Sequence, residues 1–367
     1  MLKQVTLDNI QPIAIGAGIL GTGGGGNPYL GSLHLSRVIQ EKGPQRVIDP
    51  MDLADDASIV IVGGIGAPTV SIEKLPEGTE MLRALRRLES HLGARFDAVA
   101  IAEIGGANAM QPLIAGLQAG IPTIDSDGMG RAFPEVQMSS FLFDGTVSVA
   151  PFAMVDAGVN AVVVPHTASN VWSERIARNI AVSMGARAGL AAFTLTGAQL
   201  KATGIHHTLT LAHHLGRQVL QARAAHENVP EVIADELNGR IIFRGKIVDV
   251  DRRTTKGFAR GTVTIQSFGG ADRLQIEFQN EFLIAYLNDE AIVTVPDLIC
   301  IVTNDSGDPV STEMLRYGTR VAVLGVPAPT ALKTTPALAI VGPRAFGYDV
   351  DFQPLSGTRI GVLLDPD

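Results

Sequence analysis

Two short stretches of the sequence bring carboxylates, glycines and an amide together in a way that could support acid–base chemistry. In "IAEIGGANAM", Glu103 ends an apolar run and Asn108 follows; in "PTIDSDGMGRAFPEVQM", Asp125 and Asp127 end the next such run. Open α/β sheets bind ligands beyond the carboxyl ends of their strands, so both stretches should face one crevice. Two carboxylates that meet there raise each other's pKa, which makes Glu103 and Asp127 candidate general acids or bases.

These side chains also have ordinary structural alternatives. Asp and Asn cap helices and form turns, and we favour that role for Asp125, whereas both interpretations stay open for Glu103. Arg131 could clamp a substrate carboxylate or pair with Glu135 four residues further on. Catalysis is the favoured role for Asp127.

The stretch "GTGGGGNPYLG" (21–31) has six glycines among eleven residues. Asn27 and Pro28 predict the N-cap and first residue of a helix. The amides before that helix could hold an anion or a carbonyl-rich ring. The candidate ligand-binding residues of this loop are Gly23, Gly24, Gly25, Gly26 and Asn27. The alternative is a tight turn between two helices, packed under the sheet.

The loop also matches G-x-G-x-x-G formally, with Asp49 where a ribose-binding acid would lie. However, "DNIQPIAIGAGIL" before it is at least as helical as extended, and no Lys-Ser/Thr pair follows the last glycine. We therefore expect no nucleotide cofactor.

The histidines and the single cysteine suggest structural roles. His206 and His213, like His207 and His214, are seven residues apart, a rise of about 10.5 Å along a helix. Such pairs cannot bind one small ion, so we expect a helix face or an oligomer contact. Cys300 lies in an apolar run and should be a buried, inert thiol.

The elements that must position these residues follow from the hydrophobic pattern. We predict strands near 46–49, 58–63, 97–102, 121–125 and 159–164, with helices near 8–20, 77–92, 107–119 and 134–143. Continuous apolar runs such as "SIVIVGG" are typical of parallel strands covered on both faces. The prediction is an N-terminal three-layer α/β/α domain with a mostly parallel sheet (1–168), mainly helical connecting segments (169–238) and a C-terminal β-barrel-like domain (239–367). In that last part, Asn280 and Glu281 stand in an apolar context, and buried polar side chains need partners or a purpose.

Composition narrows the function classes. The net charge is −8 and the basic residues are scattered, which argues against nucleic acid as a partner. No apolar run approaches the ~20 residues of a membrane span, and the N-terminus lacks a signal-peptide pattern. We therefore expect a cytoplasmic protein without a membrane partner. The hydrophobic content of 46% leaves self-association open.

Several motifs resemble one known family. "ILGTGGGGNPYLG", "EIGGANA", "DSDGMGRAFPEVQM", "GKIVDVDRRTTKGFARG", "FQNEFLIA" and "VGPRAFGYDVDFQPL" occur in the order found in the S-methyl thiohydantoin desulfurases (DUF917), from about residue 8 to 355. The resemblance implies an α/β domain followed by a β-barrel-like domain, and hydrolytic loss of a methylthio group from a thiohydantoin-like ring.

By position, the resemblance assigns the family's motifs to Gly23 to Gly26, Glu103, Asn108, Asp127, Arg131, Asn280 and Glu281. Asn27 departs from the Asp that is frequent in the family, and "HHTLT" replaces small residues. Asp127 or Glu103 would be the base, with the loop amides, Asn108 and Arg131 holding the ring and its carboxylate. A divalent metal could activate the water instead. The alternative function is non-catalytic metabolite binding or regulation in the same crevice.

Overall fold

The structure is a computed structural model that describes residues 1–66, 70, 76–255 and 258–355. None of the helices in these ranges combines the length and apolarity needed to span a bilayer.

The first part of the chain alternates helices and strands, as the hydrophobic pattern predicts. Its elements are β1 (Gln4–Val5), α1 (Leu7–Leu20), α2 (Pro28–Lys42), β2 (Gln45–Ile48), β3 (Ser58–Gly66), α3 (Glu80–Leu92), β4 (Ala98–Ile101), α4 (Gln111–Ala119), β5 (Thr123–Asp127), β6 (Phe152–Val155), β7 (Ala161–Val164), α5 (Asn170–Ser183), β8 (Arg187–Thr196), α6 (Gly197–Thr203), β9 (Ile205–His206), α7 (Thr208–Ala224) and α8 (Val229–Glu236).

These strands form a nine-stranded sheet in the order β1-β2-β5-β4-β3-β8-β6-β7, and β9 pairs with β5. The centre, β2-β5-β4-β3, is parallel, whereas the flanking pairs are antiparallel. Side chains of β3 point alternately to two cores. Val60 and Val62 pack with α3, whereas Ile59 and Ile61 pack in the cluster that includes α5. The predicted three-layer arrangement is confirmed.

The second part is an antiparallel sheet that curls towards a barrel. Its strands are β10 (Arg240–Thr255), β11 (Phe258–Ser267), β12 (Arg273–Gln279), β13 (Glu281–Leu287), β14 (Glu290–Thr294), β15 (Leu298–Thr303) and β16 (Arg320–Val326), and α9 (Thr335–Val341) follows. The order is β14-β13-β12-β11-β10-β16-β15. The last strand, β15, also contacts β13 and β14, so the two ends of the sheet meet. The β-barrel-like architecture agrees with the prediction.

Some predicted elements differ from the structure. The mainly helical segment 169–238 contains β8, which pairs with β3 inside the first sheet. Its Ala- and Leu-rich sequence is ambiguous because a strand buried on both faces needs no alternation. The predicted helix at 134–143 is instead an irregular segment with one short 3-10 turn at Ser140–Leu142, since Ser140 N–H bonds to the Gly128 carbonyl at 2.7 Å. Strands β1, β6, β9 and β16 were not predicted either.

Candidate active site

A cavity of about 210 Å³ lies where the two domains meet. Its polar end is lined by the α1–α2 loop, by the segment after β4 and by the start of β13. Its apolar wall includes Phe133, Phe141 and Leu190. Seven of the residues predicted from sequence line it: Gly25, Gly26, Asn27, Glu103, Asn108, Asn280 and Glu281. The crevice beyond the strand ends is therefore present, and the second domain closes it.

Glu103 enters the cavity two residues after β4 ends. It is 7% exposed and accepts hydrogen bonds from Asn108 Nδ2 and from the Phe133 amide, the latter at 3.1 Å. Burial raises the pKa of Glu103 to about 7, although both hydrogen bonds favour the charged form. The negative charge of Asp127 adds to the rise. Such a carboxyl can accept a proton near neutral pH.

Glu281 approaches the same cavity from the second domain. It is 3% exposed, and its Oε2 has no hydrogen-bond partner. Burial, followed by the charge of Glu103, raises the pKa of Glu281 well above its ordinary value. The shift favours the protonated form of Glu281, and the negative charge of Glu103, which lines the same cavity, contributes to it.

Asn280, which directly precedes Glu281, has an unusual backbone conformation. Its φ of 59° is in the left-handed region, which Asn tolerates better than most residues. The conformation is held because Asn280 N–H donates to the Ala259 carbonyl at 2.7 Å and Oδ1 accepts from the Ala259 amide at 2.8 Å. None of the side-chain hydrogen bonds among the described residues uses the Asn280 Nδ2 group, which leaves this donor available for a ligand.

The glycine-rich loop joins α1 to α2, so it follows a helix and not a strand. It is a turn between two helices, and part of it also lines the cavity. Gly25 and Gly26 have φ of 77° and 79°, and their carbonyls accept from the amides of Asn108 and Ala107, both at 3.2 Å. The hydrogen bonds within the described ranges leave the amides of Gly25 and Gly26 without an acceptor. Asn27 Oδ1 caps the helix through the Tyr29 amide at 2.9 Å, as predicted.

Gly23 and Gly24 do not line the cavity. The Gly23 carbonyl accepts from the Thr312 amide at 2.9 Å, and a Cβ at Gly23 would lie 2.5 Å from the Phe282 ring. A Cβ at Gly24 would lie 2.0 Å from Glu281 Oε1. The two glycines therefore hold the domains together and leave space for Glu281.

Asp127 is buried behind the cavity and does not line it. Its Oδ1 accepts from the amides of Met129 and Gly130 at 2.5 and 2.6 Å, while Oδ2 is unpartnered. Burial raises the pKa of Asp127 to about 7. Met129 and Phe133, on the loop that Asp127 organises, do line the cavity. Asp127 thus holds the loop that carries two lining residues, and its charge contributes to the raised pKa of Glu103.

Arg131 is fully buried and also lies outside the cavity lining. Its side chain donates to the carbonyls of Ala132, Pro296, Asp297 and Phe282 and to the hydroxyl of Thr22, over 2.8–3.2 Å. All five N–H groups of the guanidinium are then used. No donor is left for a substrate carboxylate, and Arg131 does not pair with Glu135. It fastens the glycine loop and the second domain to the loop after β5.

The histidines have separate partners. His206 bonds to Ser126 and to the Lys201 carbonyl, His213 to Asn9, and His214 to Glu236. Asp125 accepts from the Leu209 amide at 2.9 Å at the start of α7, which is the capping role favoured from sequence. Across the described ranges, no three His, Cys, Asp or Glu side chains cluster as metal ligands would. Cys300 is 1% exposed, and burial raises the pKa of its thiol to about 12.

Sequence reasoning missed part of the cavity lining. Arg178 of α5 pairs with Glu174 at 2.6 Å, stacks on the Phe258 ring at 4.6 Å, and lowers the pKa of Glu281 through its charge. No local motif marks Arg178. Phe133, in contrast, is inside the quoted motif "DSDGMGRAFPEVQM" and could have been included for that reason.

Fold and site together define a two-domain α/β protein with a cavity at the domain junction that is lined by two buried carboxyl groups. The model of the S-Me-THD-like N-terminal domain matches residues 8–166, and that of the S-Me-THD-like C-terminal domain matches residues 168–355. The chain therefore belongs to the S-Me-THD-like family, the S-methyl thiohydantoin desulfurase family that its motifs resemble.

The fold is also found in a crystal structure of a protein from Chromobacterium violaceum, with 22% sequence identity and a TM-score of 0.80. That similarity covers 97% of this chain and 100% of the other. No curated protein matches the chain.

Proposed function

We propose that the protein is a hydrolase that removes the methylthio group of an S-methyl thiohydantoin, giving a hydantoin and methanethiol. Family membership supports the reaction class. The observation that carries the proposal is the pair Glu103 and Glu281, two buried carboxyls with raised pKa values that line one small cavity from different domains.

The reaction needs water to add to the ring carbon that carries sulfur. Glu103, in its ionised form, takes a proton from water while the water oxygen bonds to that carbon. Glu281, in its protonated form, donates to the ring nitrogen as the C=N bond opens. The C–S bond then breaks, the new C–O bond becomes a carbonyl, and the hydroxyl proton passes through the carboxyls to the departing thiolate. One water is consumed and both of its protons are accounted for, on nitrogen and on sulfur.

The remaining polar groups suit the ring. The free amides of Gly25 and Gly26 and the Asn280 Nδ2 group can donate to its carbonyl and to the developing negative charge. Asn108 positions Glu103 through its hydrogen bond. At about 210 Å³, the cavity is below the ~300–1,000 Å³ usual for drug-sized ligands, which suits a single small heterocycle.

The test is methanethiol release from a panel of S-methyl thiohydantoins, with Glu103→Gln, Glu281→Gln and the exposed control Glu41→Gln. We expect each cavity variant to lower turnover by at least about 100-fold, the lower range for a general acid or base, and the control to be unchanged. Preincubation with a chelator addresses the divalent metal that the sequence leaves open. Wild-type turnover in Glu103→Gln would refute the assignment. Calorimetric binding of hydantoin without any methanethiol release would instead favour a metabolite-binding protein.

A further inference from the structure

A second cavity, of about 380 Å³, lies beside the first and has no role in the proposed reaction. It is open to solvent on one side and is formed by the start of α5, the segment after Pro134, strands β11 and β12, and the region of α9; Arg260 and Val171 are exposed at its rim. Its volume is within the ~300–1,000 Å³ typical of small-molecule sites. Seven of its thirteen lining residues are apolar, Met138, Leu142 and Phe346 among them.

Two polar side chains of this second cavity, Gln279 and Arg260, are available to a ligand. Gln279 is 5% exposed, yet its side-chain amide makes none of the hydrogen bonds found among the described residues. Arg260 is directly opposite Gln279 in the β11–β12 register, so the two side chains share a face. Within the same described ranges, Arg260 takes part in no ion pair or side-chain hydrogen bond. The Gln279 amide therefore presents an unused donor and an unused acceptor to the cavity that it lines.

The start of α5 adds partial positive charge to the same space. Ser169 Oγ accepts from the Trp172 amide at 3.4 Å, which leaves the amides of Asn170 and Val171 as unsatisfied first-turn donors. Both residues line the cavity. The one acidic side chain in the lining, Glu135, accepts from Gln137 and also borders the first cavity.

From these groups we propose that the second cavity binds a small organic anion with an apolar body, its charged end held by Arg260, Gln279 and the first turn of α5. The apolar body lies against the Met138, Leu142 and Phe346 side. Carboxylates and phosphate monoesters share the chemistry that this site recognises. A ligand bound in the second cavity should alter the geometry of the first cavity. Gln279 directly precedes Asn280 and Glu281, which line the first cavity, and Glu135 lines both cavities.

Trp172, the only tryptophan of the chain, directly follows Val171 and provides a local reporter. The experiment is a titration of its fluorescence with hexanoate, hexyl phosphate and the neutral hexanamide, repeated by thermal shift. We expect saturable binding of at least one anion and at least tenfold weaker binding of hexanamide. Arg260→Gln should weaken anion binding by about tenfold or more, the equivalent of one charged hydrogen bond, and Gln279→Leu should also weaken it.

The matched control is Arg37→Gln, which removes the same charge from an exposed site on α2 and should leave the affinity unchanged. Stronger binding of hexanoate than of hexyl phosphate would identify a carboxylate site, and the reverse a phosphate site. Equal binding of hexanamide, an unchanged affinity in Arg260→Gln, or no saturation in either measurement would overturn the proposal. None of these outcomes depends on methanethiol release.

Discussion

Replacing Arg131 by Met should destabilise the protein severely, although Arg131 was predicted from sequence to bind substrate. The substitution removes five hydrogen bonds at 2.8–3.2 Å and leaves their acceptors buried. Hydrogen bonds to charged groups contribute about 1.5–3 kcal/mol each, so a simple sum would reach roughly 7–15 kcal/mol. That equals the whole stability of a typical domain, and such contributions are not additive. We therefore expect a loss of about 4 kcal/mol or more in the free energy of unfolding.

The assay is urea unfolding followed by circular dichroism. Arg131→Lys keeps the charge with three donors and should fall between Met and wild type. Arg37→Met, on an exposed side chain, should stay within about 0.5 kcal/mol. An Arg131→Met protein with the wild-type midpoint would show that the guanidinium is not a structural fastening and is free to bind a ligand.

Three further predictions concern the cavity. Since its pKa is raised to about 7, Glu103 is half ionised near pH 7, so turnover should fall progressively as the pH drops below about 7. The same shift means that the free energy of unfolding falls as the pH rises from about 4.5 to 7, which thermal melts can show. Asp127→Asn keeps an acceptor for the two loop amides and should retain measurable turnover, whereas Asp127→Ala should not; complete inactivity of a folded Asn variant would return Asp127 to the role of base. Gly24→Ala places a methyl group against Glu281 and should abolish methanethiol release, whereas Gly26→Ala meets no atom closer than 3.7 Å and should carry mainly the roughly 1–2 kcal/mol strain of its positive φ. Equal activity of these two variants would contradict the placement of Glu281.

Local chemistry made part of the site predictable. Asn27 and Pro28 form a cap and a first helical turn through contacts within two residues, so sequence spacing is sufficient to identify them. Glu103 follows a buried strand of a parallel sheet, and the position of such strand ends is a property of the fold class. These features could be predicted because each depends on residues that are close in sequence or on the fold class itself.

Other features depend on distant parts of the chain. The acceptors of Arg131 include carbonyls 151, 165 and 166 residues away, and nothing near Arg131 distinguishes them from a ligand. The second carboxyl group in the cavity is Glu281 and not, as the sequence had suggested, Asp127. Its position depends on how the second domain closes over the first. Strand β8 could not be predicted from its own sequence, because an Ala-rich segment is compatible with a helix and with a strand that is buried on both faces. Its pairing with the distant strand β3 decides between the two.

The junction through the glycine loop has a consequence for biosynthesis. The carbonyls of Thr22 and Gly23 accept hydrogen bonds from the amides of Phe282 and Thr312, so this junction joins parts of the chain that are about 260 to 290 residues apart. A nascent chain that has emerged only as far as β9 contains Glu103 but not Glu281, and the cavity is not yet closed by the second domain. Cleavage or gene fission between the halves would separate Glu103 from Glu281, and neither fragment alone would hold both.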